Sequence, residues 1–225
     1  MRQPRQRPVY TMEMTCAICH VRKPKRFCPG VNGEICSLCC GNEREVTVDC
    51  PFDCPYLQAA RKHERPAPLD PETLPNKDIR VSEEFLEDHS ALLLGTVQSL
   101  LGAVFDNAGA VDTDVRDALD AMIRTQRTLQ SGLYYEAQPD NMMAARIAHQ
   151  TLETIEGFRQ TEQENMGLRH TRDSDVLTTL VFLQRLALDH DNGRPRGRAF
   201  MDLMRELAQD AGDTVSSEAP SLIVP

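Results

Sequence analysis

No stretch of this 225-residue sequence approaches the roughly 20 consecutive apolar residues that a membrane-spanning helix needs. The local signatures of nucleotide-binding, serine-hydrolase and zinc-protease chemistry are also missing, since there is no phosphate-cradling glycine loop, no GxSxG and no HExxH. The first dozen residues, MRQPRQRPVYTM, lack the apolar core of a secretory signal. Past residue 54 there is no cysteine at all, and the five histidines other than His20 are scattered, none with a persuasive acid or nucleophile partner beside it in sequence. These absences set the expectation of a soluble, cytoplasmic, non-catalytic protein that does not enter a membrane.

What the chain does have is eight cysteines packed between Cys16 and Cys54. In a reducing compartment, cysteines clustered at short fixed spacings are metal ligands more often than disulfide partners. Cys16 and Cys19 form one CxxC, Cys36 and Cys39 another, and the sixteen residues between them suit a tetrahedral four-cysteine site. Cys28, Cys40, Cys50 and Cys54 remain as a second set of four. Read as an extended pair, Cys39 and Cys40 point opposite ways and serve different ions, so two interleaved sites are expected, with an exchange of Cys39 and Cys40 as the alternative. Two structural zinc ions are the expected cofactors, iron being the other metal that suits four thiolates. His20 is a fallback ligand. His63, on a helix read from Pro55, would lie roughly 13 Å along the axis from Cys54, too far to reach an ion. Few large apolar side chains flank these cysteines, so metal is expected to hold the segment folded.

The stretch ICSLCCGNEREVTVDCPFDCPYL, from Ile35 to Leu57, resembles a signature of uncharacterised cysteine-rich bacterial proteins: CxxCCG, then an arginine, then CPxDCPYL. SGLYYE at Ser131 to Glu136 and NGRPRGRAF at Asn192 to Phe200 are similar to the same group. The resemblance implies a family that spans most of the chain, and it implies no reaction, ligand or catalytic residue.

Charge divides the chain. Residues 1–65 carry eleven Lys or Arg against seven Asp or Glu, whereas the rest carries fourteen against twenty-seven. A basic tail is expected over residues 1–15, with Arg2, Arg5 and Arg7 between Pro4 and Pro8. The cysteine module follows over 16–64, then a proline-rich linker over 65–81 (Pro66, Pro68, Pro71 and Pro75), helices over 82–211, and a loose tail over 212–225. Inside the module, Arg22, Lys23, Lys25 and Arg26 form a basic loop that either contacts nucleic acid or is simply solvated.

Beyond the linker the apolar spacing is helical. Five helices are expected: from Ser82 to about Asn107, from Asp112 or Thr113 towards Pro139, from Asp140 past Glu164, from Asp173 to Asp189, and from Gly197 or Arg198 to Ala211. Gly95 and Gly102 are read as allowing a neighbouring helix to come close, and the fourth helix as the most buried. The fold class is therefore mainly α, a two-zinc module followed by a bundle of about five helices. Arg194, Arg196 and Arg198 crowd the start of the last helix, where the dipole already disfavours cations. They either pair with Glu136, Asp173, Asp175 or Asp189, or hold an anion such as phosphate, lined by Tyr134 and Tyr135.

The expected function is that of an interaction or regulatory protein whose helical part binds a protein partner or self-associates. The alternatives are a nucleic-acid-binding zinc-finger protein, acting through Arg22 to Arg26 and the basic tail, and a thiol-based redox sensor.

Overall fold

A computed structural model describes residues 15–64, 69–70, 72–133 and 135–217, with 211–217 as backbone alone. Most of the basic tail, Pro66, Pro68, Pro71, Tyr134 and residues 218–225 lie outside the described residues. The fold is mainly helical, with eight helices and one two-stranded hairpin among the described residues. The chain forms two compact units, Met1–Ala59 and Ala60–Pro225.

In the first unit, β1 (Arg26–Cys28) pairs antiparallel with β2 (Gly33–Ile35), setting Arg26 opposite Ile35 and Cys28 opposite Gly33. The hairpin turn lies hard against a later segment. A Cβ on Gly30 would stand 2.4 Å from the Asp49 carbonyl oxygen and 2.7 Å from a Val48 methyl, so only glycine fits there. Helix α1 (Ser37–Glu43) follows β2 directly, and α2 (Pro55–Arg61) starts on a proline, whose missing N–H costs nothing at a first helical position. The core of this unit is mostly sulfur: among the described residues, six of its nine buried apolar residues are cysteines, and the others are Ile35, Val48 and Leu57.

The second unit contains six helices: α3 (Glu83–Asp88), α4 (Ser90–Asp106), α5 (Asp112–Gln130), α6 (Met142–Met166), α7 (Asp173–Asp189) and α8 (Ala199–Ser217). The sequence pattern predicted five. The extra one arises because the helix expected from Ser82 to Asn107 breaks at His89, whose φ of −111° and ψ of 25° are not helical. There the imidazole stacks on Phe85 with ring centroids 4.3 Å apart, and its Nδ1 lies 3.0 Å from the Phe85 carbonyl oxygen. Apolar spacing continues through the break, so periodicity alone could not show it. The Ser82 hydroxyl caps α3 by accepting from the Phe85 amide.

Helix α5 packs against α6, α7 and α8, while α4 packs against α6 and α8. Ten of the nineteen residues of α5 are buried against eight of the seventeen of α7, so α5 and not the fourth expected helix is the most enclosed. It is polar on its outer face, which hid its central place from a reading of apolar content. Gly95 and Gly102 have open space where a Cβ would stand, so neither serves a close helix approach within the described residues.

Part of the segment before α3 is fastened to the helices. Arg127 donates through Nε and Nη2 to Asn76 Oδ1 (3.1 and 2.8 Å) and forms a two-pronged pair with Asp78. The Arg127 guanidinium holds the Asp78 carboxyl below its ordinary range. Asn76 also donates to Gln184, and Arg185 donates to the carbonyls of Asn76 and Ile79.

The start of α8 is laced to the start of α5. The Asp112 amide donates to the Gly197 carbonyl at 2.9 Å, and the Asp112 carboxylate accepts from the Phe200 and Met201 amides at 3.0 and 3.1 Å. Arg198 Nε donates to the Ala110 carbonyl. Asp112 is almost wholly buried, so removing its carboxylate leaves two enclosed amides without acceptors, at a cost of about 1–3 kcal/mol. Asp112→Ala should therefore lower stability by about 2 kcal/mol in urea unfolding followed by helical circular dichroism, with Asp112→Asn losing less because one oxygen can still accept.

Candidate metal centre

The peptide around Cys16 folds back on itself. The Cys16 amide donates to the Arg22 carbonyl and the His20 amide to the Cys16 carbonyl, both at 2.8 Å. His20 takes the left-handed backbone region, with φ at 54°, and its side chain is exposed; it makes the turn. The Ala17 amide donates to the Glu34 carbonyl, joining this turn to β2, and β2 runs into Cys36 and α1. The Cys36 sulfur caps α1 by accepting from the Cys39 amide at 3.4 Å, and the Cys16 sulfur accepts from the Cys36 amide at 3.2 Å. Turn, hairpin and helix start thus converge on one point.

At that point the sulfurs of Cys16, Cys19, Cys36 and Cys39 all lie within 4.8 Å of one another. Four sulfurs about 2.3 Å from a tetrahedral ion would be about 3.8 Å apart, so the quartet is close enough to hold one metal ion with small adjustment. Three of the four are buried and Cys19 is half-buried.

Electrostatics show why such a quartet wants a cation. Burial pushes the Cys16 thiol up, but the amides of Cys19, Cys36 and Ile18 together outweigh it and bring it down to about 6. Cys19 is also lowered, chiefly by the amides of Arg22 and Val21. Cys39 goes the other way: burial, and then the sulfurs of Cys36, Cys19 and Cys16, push it up to about 12. The first proton leaves easily because backbone donors already face the sulfur. The last is held because it would add like charge to a buried cluster, so full ionisation needs a metal at the centre.

The other four cysteines do not draw together into a second such group among the described residues, but they share one space. Cys28, Cys40, Cys50 and Cys54 all line one cavity of about 20 Å³, with Arg26, Arg44, Tyr56 and Leu57 among the remaining walls. Burial, together with the nearby Cys28 and Cys54 sulfurs and the Glu45 charge, raises the Cys50 thiol, against an opposing hydrogen bond from the Glu45 backbone. Cys39 and Cys40 do diverge, but as neighbours on α1 and not as an extended pair: successive helical residues are about 100° apart around the axis. One turns to the first quartet and the other to the second cavity.

The remaining predicted residues sort as follows. His63 is exposed and belongs to the second unit. Of the basic loop, Arg22, Lys23 and Lys25 are exposed, while Arg26 is half-buried with Nη1 3.8 Å from the Cys40 sulfur and its guanidinium 4.0 Å from the Tyr56 ring centre. Arg198 is buried at the start of α8, where Asp112 takes the Phe200 and Met201 amides. Asp112 was not among the carboxylates the sequence suggested. Asp173 instead pairs with Arg159 at 2.9 Å, Asp175 lies 3.7 Å from His89, and Asp189 lies 3.7 Å from His190. Tyr135 is exposed. The role of Arg26 was missed, although the strand alternation of Arg26, Phe27 and Cys28 carried the signal, since residues i and i+2 share a face.

No helix among the described residues is long and apolar enough to cross a membrane. Comparison with protein-family models, with curated proteins and with solved structures returned no match for this chain.

With only three buried aliphatic side chains among its described residues, at roughly 1.5–3 kcal/mol each, the first unit depends on its sulfur core, and a structural metal, where one is bound, contributes on the order of 10 kcal/mol to such folds. A chelator strong enough to strip metal should abolish amide-exchange protection across Cys16–Leu57 and leave α5 and α7 protected. Cys36→Ser should do the same without chelator, because it removes a ligand and the cap of α1 together.

Proposed function

We propose that the first unit is a structural module for two zinc ions, one held by Cys16, Cys19, Cys36 and Cys39 and the other by Cys28, Cys40, Cys50 and Cys54. The chain then acts as a non-catalytic interaction protein whose helical unit engages a protein partner or a second copy of itself. The observation that carries the module is that the four cysteines outside the tight quartet line a single cavity. Eight thiolates divided four and four complete two tetrahedral shells. A catalytic zinc keeps one position open for water or substrate, and this arrangement spends every cysteine on ligation.

Large apolar side chains exposed on the helical unit support the protein-partner reading. Leu133, Tyr135 and Met142 cluster in sequence around the α5–α6 connection, each about two-thirds exposed or more, and apolar surface of this kind is a usual mark of protein contact. Nucleic acid is the weaker reading because Arg26, one of the four cations proposed to touch it, is turned to Cys40 and Tyr56.

Native mass spectrometry of the full chain, with elemental analysis, should find two zinc ions per chain. A single ion, or iron in place of zinc, would overturn the module as stated. Gly30→Val should reduce the count to one, since the added side chain forces the Cys28 turn away from Asp49 and Cys50. The partner reading predicts that Leu133→Asp with Met142→Asp abolishes co-purification or self-association seen with the native chain. Retention that instead falls steeply with salt and depends on nucleic acid would favour the alternative.

A further inference from the structure

Two cations of the basic loop face cysteine sulfurs, Arg22 that of Cys36 in the first quartet and Arg26 that of Cys40 in the second set. Strand β1 alternates, so Arg26 and Cys28 share one face, and both line the second cysteine cavity, as does the half-exposed Phe27 between them. Arg26 lines that cavity together with Cys28, Cys40, Cys50 and Cys54. Its Nη1 stands 3.8 Å from the Cys40 sulfur, and its guanidinium lies 4.0 Å from the centre of the Tyr56 ring, at the start of α2. Its Nε is buried with no hydrogen-bond acceptor among the described residues.

We propose that Arg26, clamped against Tyr56, is the positioning residue of the second metal site, holding the Cys40 sulfur in place and sharing its negative charge. This inference rests on the two-ion reading above. Within the second quartet Cys40 is the sulfur that is only half-buried, the other three being buried, so it is the ligand that water reaches first. Four thiolates around a doubly charged ion leave an excess of two negative charges. A guanidinium beside the most accessible sulfur offsets part of that excess and takes the place that water would occupy. The Tyr56 ring supplies a flat support that fixes the guanidinium plane and lowers the entropy lost in donating. The contact with the Cys40 sulfur runs through Nη1, and Nε is not taken by any of these sulfurs. Lysine cannot reproduce this, because its ammonium is a point charge that neither stacks flat nor donates from a rigid fork.

The test is metal release from the full chain under a rising concentration of chelator, with ions counted by native mass spectrometry. Removal of a residue hydrogen-bonded to a metal ligand typically weakens retention by about 10–100-fold. Arg26→Ala should lose one ion at a chelator concentration lower by that factor and keep the other at the native concentration. Arg26→Lys should fall between the two and Tyr56→Leu should weaken the same ion. Lys25→Ala, which removes an exposed neighbouring cation, should change neither. Equal retention of both ions in Arg26→Ala would overturn the inference while leaving the two-ion reading intact. Loss of both ions in Arg26→Ala and Arg26→Lys alike would also overturn it, because a residue acting on Cys40 leaves the first quartet filled. A native chain that never holds more than one ion would remove the two-ion reading itself and the inference with it.

Discussion

The first unit is built around four sulfurs, three of them buried, that lie close enough to hold one metal ion. A thiol is a small apolar group and packs well, but four thiolates drawn within 4.8 Å repel one another in a medium that screens poorly. The same quartet contains a sulfur brought down to about 6 and another pushed up to about 12. That spread shows two opposing demands in one place: backbone donors invite the first charge and the neighbours refuse the last. A dication at the centre satisfies both, because it attracts every sulfur equally while the amides keep their hydrogen bonds. Turn, hairpin and helix start are short pieces that could not hold together by apolar contact, and they meet where this one ion would bind.

The helical unit solves the opposite problem. It has ample apolar surface, and its special features deal with polar groups at helix ends. Asp112 is the clearest case: its amide closes one helix start onto Gly197 while its carboxylate supplies acceptors to the next. The carboxylate sits where the α8 dipole is positive, so one group meets the hydrogen-bond and charge requirements of that end. Asn76 plays a comparable part on another side, its oxygen taking two donors from Arg127 and its nitrogen reaching Gln184. Both are single polar side chains shared between segments far apart in sequence.

That distance in sequence explains what could and could not be read beforehand. The first metal quartet was legible because ligand spacing is a local property: two CxxC pairs sixteen residues apart leave few other geometries. The limits of α7 were legible for the same reason, since Asp173 and Asp189 bracket an apolar run. The break at His89 was not, because a stacked ring and a shared carbonyl stop the helix without interrupting its apolar spacing. Nor was the acceptor for the first amides of α8, since nothing local links Asp112 to a helix start 88 residues later. Cys39 and Cys40 are instructive in another way. They diverge as expected, but because a helix turns between them and not because a strand alternates, so the same outcome followed from different geometry.

The uneven charge of the chain takes on a different meaning beside this chemistry. Counted over its ordinary ionisable side chains, the sequence through residue 65 carries an excess of four positive charges. That excess first suggests an acidic partner. Three of the cations, Arg2, Arg5 and Arg7, lie before the first cysteine, and residues 16–64 carry only seven Lys or Arg against six Asp or Glu, whereas each tetrathiolate site holding a dication would carry minus two. Cations of the module would be drawn to such sites once filled, and two arginines already face sulfurs, Arg22 that of Cys36 and Arg26 that of Cys40. Surface left for recognition is then better sought among exposed apolar side chains such as Leu133 and Met142 than among the cations.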